Sequence, residues 1–450
     1  MTGEPVRQRV PTRTDDGSTV VSEAIHKTEF ISDSSDRTAT SRGDRWEETE
    51  EITPIRHGGD LDSIRARYGL NDLPLVDFSV SINAIGMTKR VWEAAWAAFG
   101  QSERYPVTGC PRLVEAIAQF HDVPKNCVLV GAGTTELIRL LAESQADPMR
   151  RRAERLGRPE APLAHLIEPS YAEYRRCSAL ARLRPKVWPT EVIGWTQSFA
   201  PPEGAIGIHW TGHPNNPTGR AWNRSALLDA VDRGGPHLIT AVDEAYLQFL
   251  PDEADRTVVN EVVRRDNLIV FRSMTKFYAM PGLRVGYAVG SPNVIERMRA
   301  RQDPWTVAAP AEAAARVALE ETPDYAPRVV ASILRESRRV LDHLWDFPGI
   351  RPVWPGRERP ADAPGLPNFL LISVTEDSPW TSQTLHEALA RRGVVTRECS
   401  NYRGLEIGSV LHGPGLTVPT RGHLRFAIRS LRENDLLLTQ LRDLTRSSLS

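Results

Sequence analysis

One order keeps returning along the middle of this chain: an apolar run, a turn of glycine or small polar residues, then a stretch with helical spacing. "CVLVGAGTTELIRLLAES" shows it in full and "APLAHLIEPSYAEYRRCSALA" repeats it. "AIGIHWTGHPNNPTG", "HLITAVDEAYLQFL" and "NLIVFRSMTKF" are three more strand-then-loop units. Strands that alternate with helices need crossover connections, which predicts an α/β fold with a mostly parallel sheet covered on both faces. Upstream, "LPLVDFSVSIN" reads as strand then turn, and "VWEAAWAAFG" as a helix stopped at Gly100. "DPMRRRAERLGRPEAP" reads as a solvated insertion between elements. After about Pro310 the character changes. "EAAARVALEE" and "VVASILRESRRVLDHLWDF" read as long amphipathic helices, and "NFLLISV" and "HLRFAIRS" as strands of a second, smaller sheet.

These shifts divide the chain into an extension over 1–51, the N-terminal part of a small domain over 52–90, a large domain over 91–310 and the C-terminal part of the small α+β domain over 311–450. The extension is rich in Ser, Thr, Asp, Glu and Arg, and cannot bury enough apolar surface to offset its ordering entropy. It is expected to be disordered or arm-like. The remaining length is ample for a large core without disulfides. The cysteines, Cys110, Cys127, Cys177 and Cys399, form no CxxC pair, so no metal site or disulfide framework is expected. A formal net charge of -1 offers no global field for nucleic acid. No apolar run approaches the roughly 20 residues of a membrane span, and no signal-peptide pattern opens the chain. A cytoplasmic protein with no nucleic-acid or membrane partner is expected.

The candidate chemistry lies in "SMTKFYAMPGLRVGY", where Lys276 follows a run that reads as buried. A lone lysine after a strand is ordinarily a solvated loop residue. Four other features share its position after a predicted strand, where open α/β sheets place ligands. "GAGTTE", Gly131 to Glu136, is either a tight turn or a helix N-terminus with donors for a phosphate. "HPNNPTG", His213 to Gly219, is dense turn chemistry whose amides can also donate to a ligand oxygen. "VDEAY" places Asp243 at a buried strand end, where an acid needs a partner. Ser273 and Arg284 offer a hydroxyl and a charge to a phosphate.

Taken in this order, the motifs resemble those of the fold type I pyridoxal 5′-phosphate (PLP) enzymes, the class I and II aminotransferases, from about Arg56 to Asn434. The resemblance implies the PLP-dependent transferase fold, with PLP held in the large domain, and assigns roles residue by residue. Lys276 would form the Schiff base with PLP, and Asp243 would pair with the pyridine nitrogen. Asn216 and Tyr246 would bond the phenolic oxygen. Thr134, Thr135, Ser273 and Arg284 would hold the phosphate. Tyr171 in "EPSYAEY" would stack on the ring. Tyr105 in "RYP" would reach the neighbouring subunit's phosphate, which implies a homodimer. Arg425 in "HLRFAIR" would grip the substrate carboxylate.

Within the family the likeness is to histidinol-phosphate aminotransferases and threonine-phosphate decarboxylases. "RHGGD", "DFSVSINAIG" and "TRECSNYRGL" resemble segments of the latter, and would bring His57, Asn83 and Arg397 to the substrate's anionic groups. The chain departs from that pattern at Asp60, where asparagine is expected, in the added "IGSVLHGPGLTVPTRG", and in its N-terminal extension. These departures leave a free or guanidino amino acid open beside a phosphorylated one. The expected activity is that of an aminotransferase on an α-amino acid, with decarboxylation, or cyclisation or elimination, as alternatives. A PLP-binding regulator of transcription would need a DNA-binding domain, and the first fifty residues lack helix-turn-helix spacing.

Overall fold

The computed structural model describes residues 9–13, 19–23, 57–161, 163–189, 201–353, 366–413 and 416–447. The chain forms two compact units, Met1–Trp46 and Glu47–Ser450. In the first, strands Arg9–Arg13 and Thr19–Glu23 pair antiparallel, with Arg9 opposite Glu23. The rest of the expected 1–51 extension lies outside the described residues.

The second unit is built on a seven-stranded sheet. In chain order its strands are β1 (Val128–Gly131), β2 (Ala164–Glu168), β3 (Pro185–Pro189), β4 (Gly207–Gly212), β5 (Leu238–Asp243), β6 (Leu268–Ser273) and β7 (Gly286–Gly290). Their spatial order is β1-β7-β6-β5-β4-β2-β3. The pairs from β3 to β6 are parallel, and β7 runs antiparallel to both its neighbours. Strands β4 and β6 are buried along their whole length, as a sheet covered on both faces requires. Leu137, Leu141, Leu166, Ile208 and Phe271 fill one side; Val130, Val242, Val270, Phe277 and Tyr287 belong to the core of the other.

The first helices follow their sequence signals. Asp60 caps α1 (Leu61–Tyr68), and Thr88 caps α2 (Lys89–Phe99), which Gly100 closes. After α3 (Pro111–His121) and β1, helix α4 (Thr134–Arg155) runs further than expected, through the first part of "DPMRRRAERLGRPEAP". The first part of that stretch is helix rather than insertion: Met149 and Ala153, one turn apart, are buried, and this apolar face carries the helix on, while Glu154 to Glu160 are exposed as expected. Helix α5 (Glu173–Leu180) follows β2, and α6 (Arg224–Gly234) precedes β5.

The two long helices expected after Pro310 are one. Helix α7 (Ala309–Leu344) spans 36 residues with Pro323 and Pro327 inside it. Each internal proline costs about 3 kcal/mol. Val329, Ile333, Val340, Leu341 and Leu344 are buried in the main core, and at about 2 kcal/mol apiece they outweigh that loss.

A second, antiparallel sheet forms as expected. Phe369–Thr375 pairs on one side with Ile350–Pro352 and on the other with Leu416–Ala427, which also takes Arg397–Glu398 along its far edge. The added "IGSVLHGPGLTVPTRG" is a hairpin: Val410–Gly413 pairs with the first residues of the same long strand. "LPLVDFSVSIN" supplies only a two-residue strand, Val76–Asp77, parallel to Val394–Val395. Among the described residues, no helix is long and apolar enough to cross a membrane.

Candidate active site

Strands β5 and β6 end side by side in the sheet, one on Asp243 and the other on Ser273, and the loop after β4 carries Asn216. Parallel strands present such ends on one edge, where turn residues converge. One cavity there is lined by Thr134, Thr135, Tyr171, Asn216, Asp243 and Tyr246, and also by Ser273, Lys276, Arg284, Arg397, Arg425 and His57. Twelve of the fourteen residues singled out above thus meet at one place.

Two do not line it. Tyr105 is 77% exposed and stacks on Trp305, with ring centroids 4.4 Å apart. Asn83 is buried behind the lysine turn. Its backbone N–H donates to the Lys276 carbonyl (3.1 Å), and its Nδ2 donates to the Phe277 carbonyl (2.9 Å) and the Tyr325 hydroxyl (2.8 Å). Its amide is engaged in holding the turn.

Lys276 sits in the single helical turn Met274–Phe277 directly after β6. Burial, followed by the charges of Arg425 and Arg284, pushes its amine down to about 8, with Asp243 pulling the other way. At pH 7.5 about a quarter of such an amine is unprotonated, against about one part in a thousand for an ordinary lysine.

Asp243 is pinned at both oxygens. The Tyr174 hydroxyl donates to Oδ2 (2.8 Å) and the Ala245 N–H to Oδ1 (3.0 Å). Burial raises its pKa, and those two bonds and Lys276 act against the rise. Tyr174 is itself buried, its ring stacked on Trp210 at 5.5 Å. It stands three residues after Tyr171, which precedes α5, and the two rings meet edge-on at 5.6 Å. Tyr171 shares a contact with Thr135 Oγ1 (3.1 Å). Burial pushes the Tyr246 phenol up to about 12.

Across the cavity stands the second sheet. Arg425 Nη2 donates to the Ser79 carbonyl (2.8 Å), and Nη1 donates to Asn216 Oδ1. Its guanidinium lies 5.3 Å from the Phe369 ring centroid. Arg397 faces Arg425 directly in the strand register, and bonds Asn401 Oδ1 (2.9 Å). Ser79, Ser81 and Tyr402 also line this side and were not singled out from sequence. Past His57 and Arg397 the cavity opens into a wider cleft lined by Arg67, Arg175, Glu398 and Asn401. Asp60 lies in that cleft, where both its oxygens cap Ser63 of α1. Its charge serves the helix start rather than the inner cavity.

The residues present fit PLP. Helix α4 has no side chain capping its first N–H groups, so those donors are available to a phosphate. Around them stand the hydroxyls of Thr134, Thr135, Ser273 and Thr275, and Arg284. Gly133 has φ +84°, and a Cβ there would stand 2.8 Å from Arg284 Nη2. Only glycine leaves that guanidinium its place over the helix end. Among the described residues, no cluster could hold a metal ion.

The sequence pattern of the family described as aminotransferase class I and II matches residues 74–355. The chain is 31% identical over 393 residues to the threonine-phosphate decarboxylase of Salmonella typhimurium, a match covering 86% of this chain and 96% of that protein. It is also 31% identical over 357 residues to the histidinol-phosphate aminotransferase of Symbiobacterium thermophilum, covering 78% and 89%. The fold is that of the histidinol-phosphate aminotransferase of Sinorhizobium meliloti solved in complex with pyridoxal-5′-phosphate: TM-score 0.67 and 18% identity, over 89% of this chain and 98% of that one.

Proposed function

The chain belongs to the class I and II aminotransferase family, and on that premise we propose that it is a PLP-dependent aminotransferase of an α-amino acid that carries a second anionic group. The observation that carries the reading is Lys276, an amine pushed down to about 8, in one cavity with Asp243 and Arg425. PLP, when bound, supplies a ring that accepts the electron pair left on the substrate's α-carbon. Thr134, Thr135, Ser273, Arg284 and the start of α4 hold the phosphate. Asp243, oriented by Tyr174, keeps a proton on the ring nitrogen. Asn216 and Tyr246 take the phenolic oxygen, and Tyr171 packs on the ring. Arg425 receives the substrate carboxylate, its guanidinium oriented by Asn216 and Ser79. Lys276 Nζ would serve as the general base that takes the substrate's α-proton. His57 and Arg397, at the opening to the wider cleft, meet the second anion. Asn83 contributes through the lysine turn.

Decarboxylation is a second reading, supported by the match to the Salmonella decarboxylase across nearly its whole length. Lys276 would then give a proton to the α-carbon rather than remove one. Incubation with histidinol phosphate and with threonine phosphate, each with and without 2-oxoglutarate, separates the two. Transamination predicts pyridoxamine phosphate in the absence of the keto acid; release of CO2 without pyridoxamine phosphate would overturn it.

We further read the protein as a cytoplasmic homodimer. Tyr105 and Trp305 leave a stacked aromatic pair largely exposed, and Trp92, Trp96 and Phe99 form an exposed stack on α2. A partner surface would cover these rings, and Tyr105 would complete the partner's phosphate site. Sedimentation of the holoenzyme tests this: a monomer at micromolar concentration would remove Tyr105 from the site.

A further inference from the structure

Glu173 is a carboxylate that the chemistry above leaves unused, yet it is only 4% exposed beside the cavity. It opens α5, and its Oε2 accepts from Arg176 Nη1 (3.2 Å), three residues on. That pair alone would satisfy an acid at a helix start. The other oxygen reaches out of the helix. Oε1 meets His57 Nε2 at 2.9 Å, a partner 116 residues away. Burial works to raise Glu173, but the bond and charge of His57 and the charge of Arg176 hold it below the usual carboxylate range.

His57 begins the strap His57-Gly58-Gly59, which is fastened at two ends. Gly59 N–H donates to Ser79 Oγ (2.9 Å). Gly58 presses so close that a Cβ would lie 2.4 Å from the Ser79 carbonyl. That carbonyl is the one that takes Arg425 Nη2. The strap therefore joins α5, through Glu173, to the residue that orients the arginine. His57 borders both the inner cavity and the outer cleft. With Nε2 engaged, its remaining ring nitrogen, Nδ1, has no hydrogen-bond partner among the described residues.

We propose that Glu173 is a positioning residue for substrate selection: it holds His57 across the cavity mouth, leaving Nδ1 for the distal anionic group of the substrate. This rests on the reading of a substrate with two anionic ends. Nε2–H given to Glu173 and Nδ1–H given to a phosphate oxygen would make the ring a donor at both nitrogens, bridging the two anions. No bond is made or broken; the effect is on which amino acids stay in the site.

The test uses the PLP-loaded enzyme and the dissociation constants of O-phospho-L-threonine and L-threonine, read from changes in the cofactor's absorbance. Glu173→Gln should weaken O-phospho-L-threonine by about tenfold, the scale of one charge-assisted hydrogen bond, and leave L-threonine within about twofold. His57→Gln should do the same, and the double variant should add nothing. Glu173→Asp, which keeps the charge but shortens the reach, should match Glu173→Gln and stands in for it if the amide does not fold. Arg176→Gln removes only the helical partner and should bind as wild type. Unchanged binding in Glu173→Gln, equal losses for L-threonine, additive variants, or an Arg176→Gln loss as large as that of Glu173→Gln would each overturn the proposal. Wild type that does not bind O-phospho-L-threonine overturns it together with the two-anion reading.

Discussion

The floor of the cavity is built from turns that follow parallel strands, while its wall comes from an antiparallel sheet and a short strap. On the floor, Asp243, Ser273 and Lys276 are fixed within a residue or a turn of a buried strand end, and the start of α4 lies beside them. On the wall, Arg397 and Arg425 come from paired strands, and Ser79, 346 residues from Arg425, is joined to it by a hydrogen bond. The floor's geometry is set locally, strand end by strand end. The wall's is set by contacts between segments distant in the chain. A family built this way can keep its cofactor chemistry and change its substrate.

The largest effect expected is on the floor. Lys276→Ala should lower turnover by about 10⁴-fold or more, and borohydride should no longer fix a cofactor label to the chain. Full turnover in that variant would remove the lysine from the chemistry. Arg425→Leu attacks the wall. We expect kcat/KM to fall about 100-fold, mostly through KM, with the cofactor absorbance unchanged; a lost absorbance band would mean that floor and wall are not separable. Tyr174→Phe is finer, since Asp243 remains and loses one buried hydrogen bond. Its kcat should drop about tenfold with KM little altered.

The smallest effect is on pH dependence. With the Lys276 amine at about 8, its neutral form dominates above that pH and is lost as pH falls. Capture of PLP by the apoenzyme should therefore quicken about fivefold from pH 7 to pH 8 and level off beyond pH 9. A capture rate still climbing steeply from pH 9 to 10 would mean an ordinary lysine.

The same division decides how much could be read from the sequence. The meeting of Lys276, Asp243, Asn216 and the "GAGTTE" turn in one cavity was legible because each directly follows its apolar run. Tyr174 and Glu173 were not, though they lie beside Tyr171. Their roles depend on Asp243 and His57, about 70 and 116 positions away, and local pattern carries no such pairing. Asn83 was expected at the substrate, but Ser79 and Ser81 take the cavity side, and its amide turns to Phe277 and Tyr325. The alternation of strands and helices gave the large sheet. Helix α7 defied its own two prolines because tertiary burial outweighs local propensity.

Arg397 and Arg425 stand opposite each other across one strand pair. Each side chain is held by partners of its own, Arg397 by Asn401 and Arg425 by Asn216 and Ser79. A ligand reaching this wall finds two guanidinium groups already ordered, so little side-chain entropy is left to lose on contact.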